Sequence, residues 1–153
     1  VEAEAGRLGL AVMREPARLA GEAAEQGARL AGRLNAGPVG LMLAGGETTV
    51  TLPPNPGRGG RNQQLALAAA LRLAGRPDST LLACGTDGID GASGDAGAVV
   101  DGGSCARIRD AGLNPQWQLA RADAGTALEA AGDLVHTGPT GTNVCDIVMG
   151  LKL

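Results

Sequence analysis

Short apolar runs that break off into glycine-rich loops constrain the fold of this chain more than any other feature of its sequence. Val39–Ala44 and Thr80–Cys84 contain no charged residue, and each run ends at a glycine. Runs of that length and composition read as strands buried in a sheet. Helical signals fall between them. Residues 61–74 set Leu65, Leu67, Leu71 and Leu73 among alanines, a helix apolar nearly all round and therefore buried, closed by Gly75 and Pro77. Residues 16–34 read as a helix opened by Pro16, with Leu19, Ala23, Leu30 and Leu34 toward one face and Asn35, Gly37 and Pro38 as its stop. A short strand is expected over 9–14. Gly45-Gly46 reads as a turn that folds a second strand, 47–52, back as a hairpin. Short helices are expected over 101–111, 115–122 and 124–131, and strands over 133–136 and 144–151. Strands alternating with helices give the fold class: an α/β domain with a mixed β-sheet and flanking helices.

Composition then narrows the function classes. The 153 residues suit one domain able to bury a core. With one Trp and no Tyr or Phe, that core must be aliphatic. A net charge of −3, with no basic stripe and no aromatic platform, argues against nucleic acid as a partner. No apolar run reaches the roughly 18 residues of a membrane span. Cys84, Cys105 and Cys145 are widely spaced, which suits reduced thiols in a cytoplasmic protein better than a disulfide framework or a zinc site. Val1–Gly6 is small and acidic, unlike a signal peptide, and the start at Val in place of Met is expected of a piece of a longer protein.

Three loops carry candidate chemistry. In Gly57–Gln63, glycines lead into a helix start and Arg58 and Arg61 stand close together. Free amides at a helix N-terminus and arginine forks both favour phosphate or carboxylate. Arg58, Gly59, Gly60, Arg61 and Asn62 are therefore candidate anion contacts. The loop is not of the Walker type, because no Gly-Lys-Ser/Thr follows, and Asn62 stands where a dinucleotide fingerprint needs its last glycine. In Gly85–Gly91, Thr86, Asp87 and Asp90 follow directly on a buried strand, where α/β sheets gather ligands. Such carboxylates can bind Mg²⁺ together with substrate phosphates or accept a hydroxyl proton. In Thr137–Asn143, the hydroxyls and amides of Thr140, Gly141, Thr142 and Asn143 suit phosphate oxygens or substrate hydroxyls. For each loop the alternative is a rigid turn without a ligand. His136, the one histidine, reads as a packed or surface residue. Cys84 has no neighbouring histidine to activate it, and Trp117 reads as core or interface.

The run Gly45–Val50, then Gly57–Gln63, Gly85–Gly91 and Thr137–Asn143, four motifs in this order, resembles the MOFRL domain of the class II glycerate 2-kinases. Many such proteins carry an older label as hydroxypyruvate reductases of tartrate degradation. The similarity covers about residues 38–153. Residues 1–37 resemble a linker and helix from the end of the family's upstream domain. The sequence departs from the family pattern at Ala92–Asp95, at Gln64-Leu65 and at Cys145. The resemblance implies ATP-dependent phosphorylation of D-glycerate to 2-phosphoglycerate with Mg²⁺, in a cleft completed by an N-terminal domain. It implies catalytic roles for Arg61 and Asp87, with Asp87 as a metal ligand and Glu47 and Asn62 as supporting contacts. By itself this chain is then expected to be inactive. Two other readings stay open: an NAD(P)H-dependent hydroxypyruvate reductase, and a non-catalytic ligand-binding module.

Overall fold

A computed structural model describes residues 1–153. Six strands form one mixed sheet: β1 (Val12–Arg14), β2 (Gly40–Gly46), β3 (Ser79–Gly85), β4 (Gly97–Asp101), β5 (Leu134–Val135) and β6 (Asp146–Lys152). Their spatial order is β1-β2-β6-β3-β4-β5. Only β1 and β2 run parallel; the other neighbours are antiparallel. The helices are α1 (Glu2–Arg7), α2 (Ala23–Ala36), α3 (Arg61–Leu73), α4 (Ser104–Asp110), α5 (Pro115–Ala120) and α6 (Ala124–Ala131).

The last strand occupies the centre. β6 pairs with β2 on one side and β3 on the other, and one row of that register reads Gly46–Asp146–Gly85. Burial alternates strictly along β3 and along β2 up to Ala44, so one face of the sheet is closed off. Helices α2 and α3 pack together and cover that face. Alanines let them sit close: Ala66, Ala69 and Ala70 of α3 and Ala23 and Ala31 of α2 are fully buried beside Leu30, Leu34, Leu65 and Leu73. The core is aliphatic, as the composition requires.

Four expectations need correction. The hairpin at Gly45-Gly46 does not form: both glycines continue β2, paired with β6, about a hundred residues away, on one side and with Leu19 on the other. Residues 47–52 make only an isolated bridge, Glu22 to Thr49. Helix α2 begins at Ala23 and not at Pro16, because the preceding segment spends its hydrogen bonds sideways. Leu19 N donates to Gly45 O, and Thr49 N donates to Gly21 O. Those lateral bonds replace the i→i−4 bonds a helix would need. A strand was missed at Gly97–Asp101; its alternation is masked because only Val99 is exposed. Trp117 is not core: it is 61% exposed on α5. Residues 1–37 carry α1, β1 and α2, of which β1 pairs in the sheet and α2 supplies part of the core.

Candidate functional site

The three loops meet at the row where β6 starts. Gly85 closes β3, and Thr86 is pinned beside the neighbouring strand: its Oγ1 donates to Cys145 O at 2.7 Å and accepts from Val144 N at 2.9 Å. Thr140 N donates to Asp87 O at 3.1 Å, and Thr140 Oγ1 donates to Thr86 O. The second and third loops are thus stitched into one unit, with no room between them; a side chain at Gly88 would lie 2.1 Å from Gly138 O. Thr140 spends its hydroxyl on this stitching. Gly141 and Thr142 are exposed around it.

Arg61, the first residue of α3, reaches across to this row. Its Nε and Nη2 donate to Asp146 Oδ2 and Oδ1 at 2.7 and 3.0 Å, a two-pronged pair, and its Nη1 lies 3.1 Å from Glu47 Oε1. Asp146 is 3% exposed at its side chain, whereas Arg61 is 33% exposed. The hydrogen bond to Asp146 raises the guanidinium pKa further above its already high value. The glycines on either side of Asp146 in the row make room for other groups: the Leu19 backbone comes in beside Gly46 and Asp87 beside Gly85. A side chain at Gly85 would meet Ile89 O at 2.7 Å and Asp87 Oδ1 at 2.9 Å, and Asp146 Oδ1 lies 3.7 Å from the same point. Two carboxylates therefore converge on bare backbone. Asp87 Oδ1 accepts from Ile89 N at 3.1 Å, while Oδ2 has only a long contact, 3.4 Å, from Asn143 Nδ2.

Three candidates fall away from ligand contact. Asp90 is 1% exposed and faces inward. It accepts from the Asn62 and Gln63 amides at 3.0 and 2.8 Å, so it caps α3 from a distant loop. Burial pushes its carboxyl pKa up, and these amide bonds offset part of that. The helix N-terminus expected to hold a ligand's anion is filled by the protein's own. Asn62, fully buried, adds its Nδ2 to the same carboxylate. Arg58 turns the other way: its Nη2 donates to Gly125 O and Glu129 Oε2, and its amide donates to Asp123 Oδ1, which fastens the loop to α6. His136 is exposed and pairs with buried Asp95, Nδ1 to Oδ1 at 2.8 Å.

An open groove of about 640 Å³ runs past Arg61, bordered by Glu47, Val50, Leu52, Pro56, Gly59 and Gly60. Sequence reasoning missed Asp146. The signal was there: an acid within the apolar run expected as the last strand, three residues after the Thr/Gly loop.

Comparison with known proteins follows this geometry. The MOFRL family profile matches residues 40–146, a span that includes Arg61, Asp87 and Asp146. The chain belongs to the MOFRL family. A D-glycerate 2-kinase of Thermotoga maritima is 46% identical over 110 residues, 72% of this chain and 26% of that protein. A protein of Agrobacterium vitis, provisionally named a hydroxypyruvate reductase, is 47% identical over 138 residues, 84% of this chain and 32% of its own length. The crystal structure of a glycerate kinase from Thermotoga maritima superposes with a TM-score of 0.94 at 36% identity, over 99% of this chain and 38% of that one. This MOFRL chain thus spans about a third of the length of the relatives it matches. No helix is long and apolar enough to cross a membrane.

Proposed function

We propose that this chain is the C-terminal part of a glycerate 2-kinase, and that it transfers the γ-phosphoryl group of ATP to D-glycerate together with an upstream domain. The observation that carries the reading is the convergence of Arg61, Asp146, Glu47 and Asp87 on one glycine-lined row at the sheet's end, in a chain whose relatives include named glycerate kinases. In the reaction, the C2 hydroxyl oxygen of glycerate bonds to the γ-phosphorus. The β,γ-bridging P–O bond breaks, and its electron pair leaves with ADP. The hydroxyl proton passes toward Asp87, whose Oδ2 is the least engaged carboxylate oxygen of the cluster. Arg61 offers its remaining N–H groups to the transferring phosphoryl oxygens.

Charge arithmetic refines that role. The single positive charge of Arg61 is offset by Asp146, with Glu47 and Asp87 beside it, so the cluster is net negative and disfavours a phosphate unless a cation joins it. Mg²⁺ is commonly held by one or two carboxylates plus substrate phosphates. Asp87 is the candidate protein ligand, and when bound the ion supplies charge neutralisation. A cytoplasmic location goes with this reading and with the three free cysteines.

The reductase reading is supported by the name of the Agrobacterium relative, and no glycine-rich dinucleotide loop supports it. A coupled assay decides. The full-length protein is expected to release ADP with ATP, Mg²⁺ and D-glycerate, and to leave NADH unoxidised with hydroxypyruvate. The reverse result would assign it to the reductases. Absence of both would favour a binding module.

A further inference from the structure

The groove past Arg61 has two unlike ends. At one end stand its only charged side chains, Arg61 and Glu47, paired at 3.1 Å. The other end lies where α5 gives way to α6. There Gly57 N donates to Arg121 O at 3.0 Å, which sets Pro56 near Ala122, and Leu52 extends the same apolar wall. Leu52 is 62% exposed, so that wall is open to a ligand.

Gln64 sits one turn along α3 from Arg61 and reaches a different neighbour. The Arg61 fork goes to Asp146 at the start of β6, whereas Gln64 Nε2 donates to Leu119 O of α5 at 2.8 Å. That bond fixes the amide's orientation: a carbonyl only accepts, so the nitrogen must face Leu119. Oε1 is left as a pure acceptor, and no group of the protein donates to it. Gln64 is 8% exposed and lines the groove. Its neighbours on α3 differ: Asn62 Oδ1 and Gln63 Oε1 also lack donors, but they are sealed from solvent, and Gln64 Oε1 is not. A mostly buried amide oxygen aimed at a groove calls for a donor from the groove's occupant.

We propose that this groove holds an adenine base, with Gln64 Oε1 accepting from its exocyclic amine, and is the nucleoside half of the phosphoryl donor's site. Gly59 and Gly60, with Gly91 packed against them, leave bare backbone along one wall, where a planar ring can lie close. The faces of a base suit Leu52, Pro56 and Ala122, and the phosphates suit the Arg61 end. A guanine would turn a carbonyl oxygen toward Oε1 and be repelled. That the occupant is a phosphoryl donor rests on the kinase reading; the recognition of an amino-purine by Gln64 does not.

Calorimetric titration of the full-length protein, without glycerate, gives a readout independent of turnover. ATP with Mg²⁺ is expected to bind about fivefold or more tighter than purine riboside 5′-triphosphate, which lacks only the amine. In Gln64→Met, whose fold is checked by its melting curve, the ratio of the two Kd values should fall to about one. Leu52→Asp, on the exposed wall, should weaken both nucleotides alike and leave their ratio as it was. No amine preference in the unsubstituted protein, a preference that survives in Gln64→Met, or binding untouched by Leu52→Asp would each overturn the proposal. The two readings fail separately. An amine preference through Gln64 without ADP release to D-glycerate keeps the base site and sinks the glycerate kinase. ADP release with no amine preference does the reverse. A preference for NADH over its hypoxanthine counterpart, with none for ATP, would give the groove to a dinucleotide and overturn its assignment to the phosphoryl donor.

Discussion

Arg58 and Arg61 stand three residues apart in one loop, and Asp87 and Asp90 three apart in another, yet each pair serves two different ends of the molecule. Arg58 and Asp90 face the scaffold: one fastens the loop to α6, the other caps α3. Arg61 and Asp87 face the row at the head of β6. The division follows from the local backbone. Gly60 is extended, and α3 begins only at Arg61, so Arg58 leaves before the helix sets its direction. The buried partner of each polar group then decides its use. A carboxylate with two amide donors and almost no exposure is structural, and one with an idle oxygen at the surface is available for chemistry.

Substitutions can break or sharpen this contrast. The largest effect should come from the outward pair. Arg61→Ala or Asp87→Asn in the full-length protein is expected to lower turnover about 100-fold or more, the usual scale for lost transition-state electrostatics; Asp87→Asn should leave the melting temperature little changed, whereas Arg61→Ala also strands the buried Asp146 carboxylate and lowers it. Near-normal ADP release from both variants would erase the distinction. The inward aspartate should register in stability instead. Asp90→Ala leaves two buried amides at the head of α3 without an acceptor, at a cost of about 1–3 kcal/mol in urea unfolding of this chain; an unchanged midpoint would mean that the cap is dispensable.

A smaller effect of the same residue is its pH dependence. Burial raises the folded-state carboxyl pKa of Asp90 above the unfolded value. The folded state therefore holds the proton more tightly, and the associated stability is present below the unfolded pKa and is lost as pH rises through the folded one. Unfolding of Asp90→Asn across the acid range should lack that component of the slope; identical slopes would show that other groups account for it. Arg58→Ala should do least. Its pair with Glu129 is exposed, so a loss under about 1 kcal/mol is expected, with ADP release unaffected. A large drop in turnover there would move Arg58 back into the site.

Much of this was legible in the residues. The apolar runs at Val39–Ala44 and Thr80–Cys84 became β2 and β3, and the alanine-leucine stretch became α3 almost to the residue. Those signals are local, because strand and helix burial patterns repeat every two or three to four residues. What was misread had non-local causes. Gly45-Gly46 has the chemistry of a turn, but β6 offered a full ladder of hydrogen bonds and kept both glycines in β2. Residues 16–22 have helical composition, but their amides and carbonyls were taken by residues 45–49.

By itself the sequence determined the fold class, the aliphatic core and the four loop motifs that mark the family. Only the tertiary structure decided which polar residues of those loops are spent on the scaffold. It alone brought in Asp146, 85 residues beyond Arg61. The physical reason is that a side chain's role is set by its partners. Those partners are chosen when β6 enters the centre of the sheet and draws distant segments into one row.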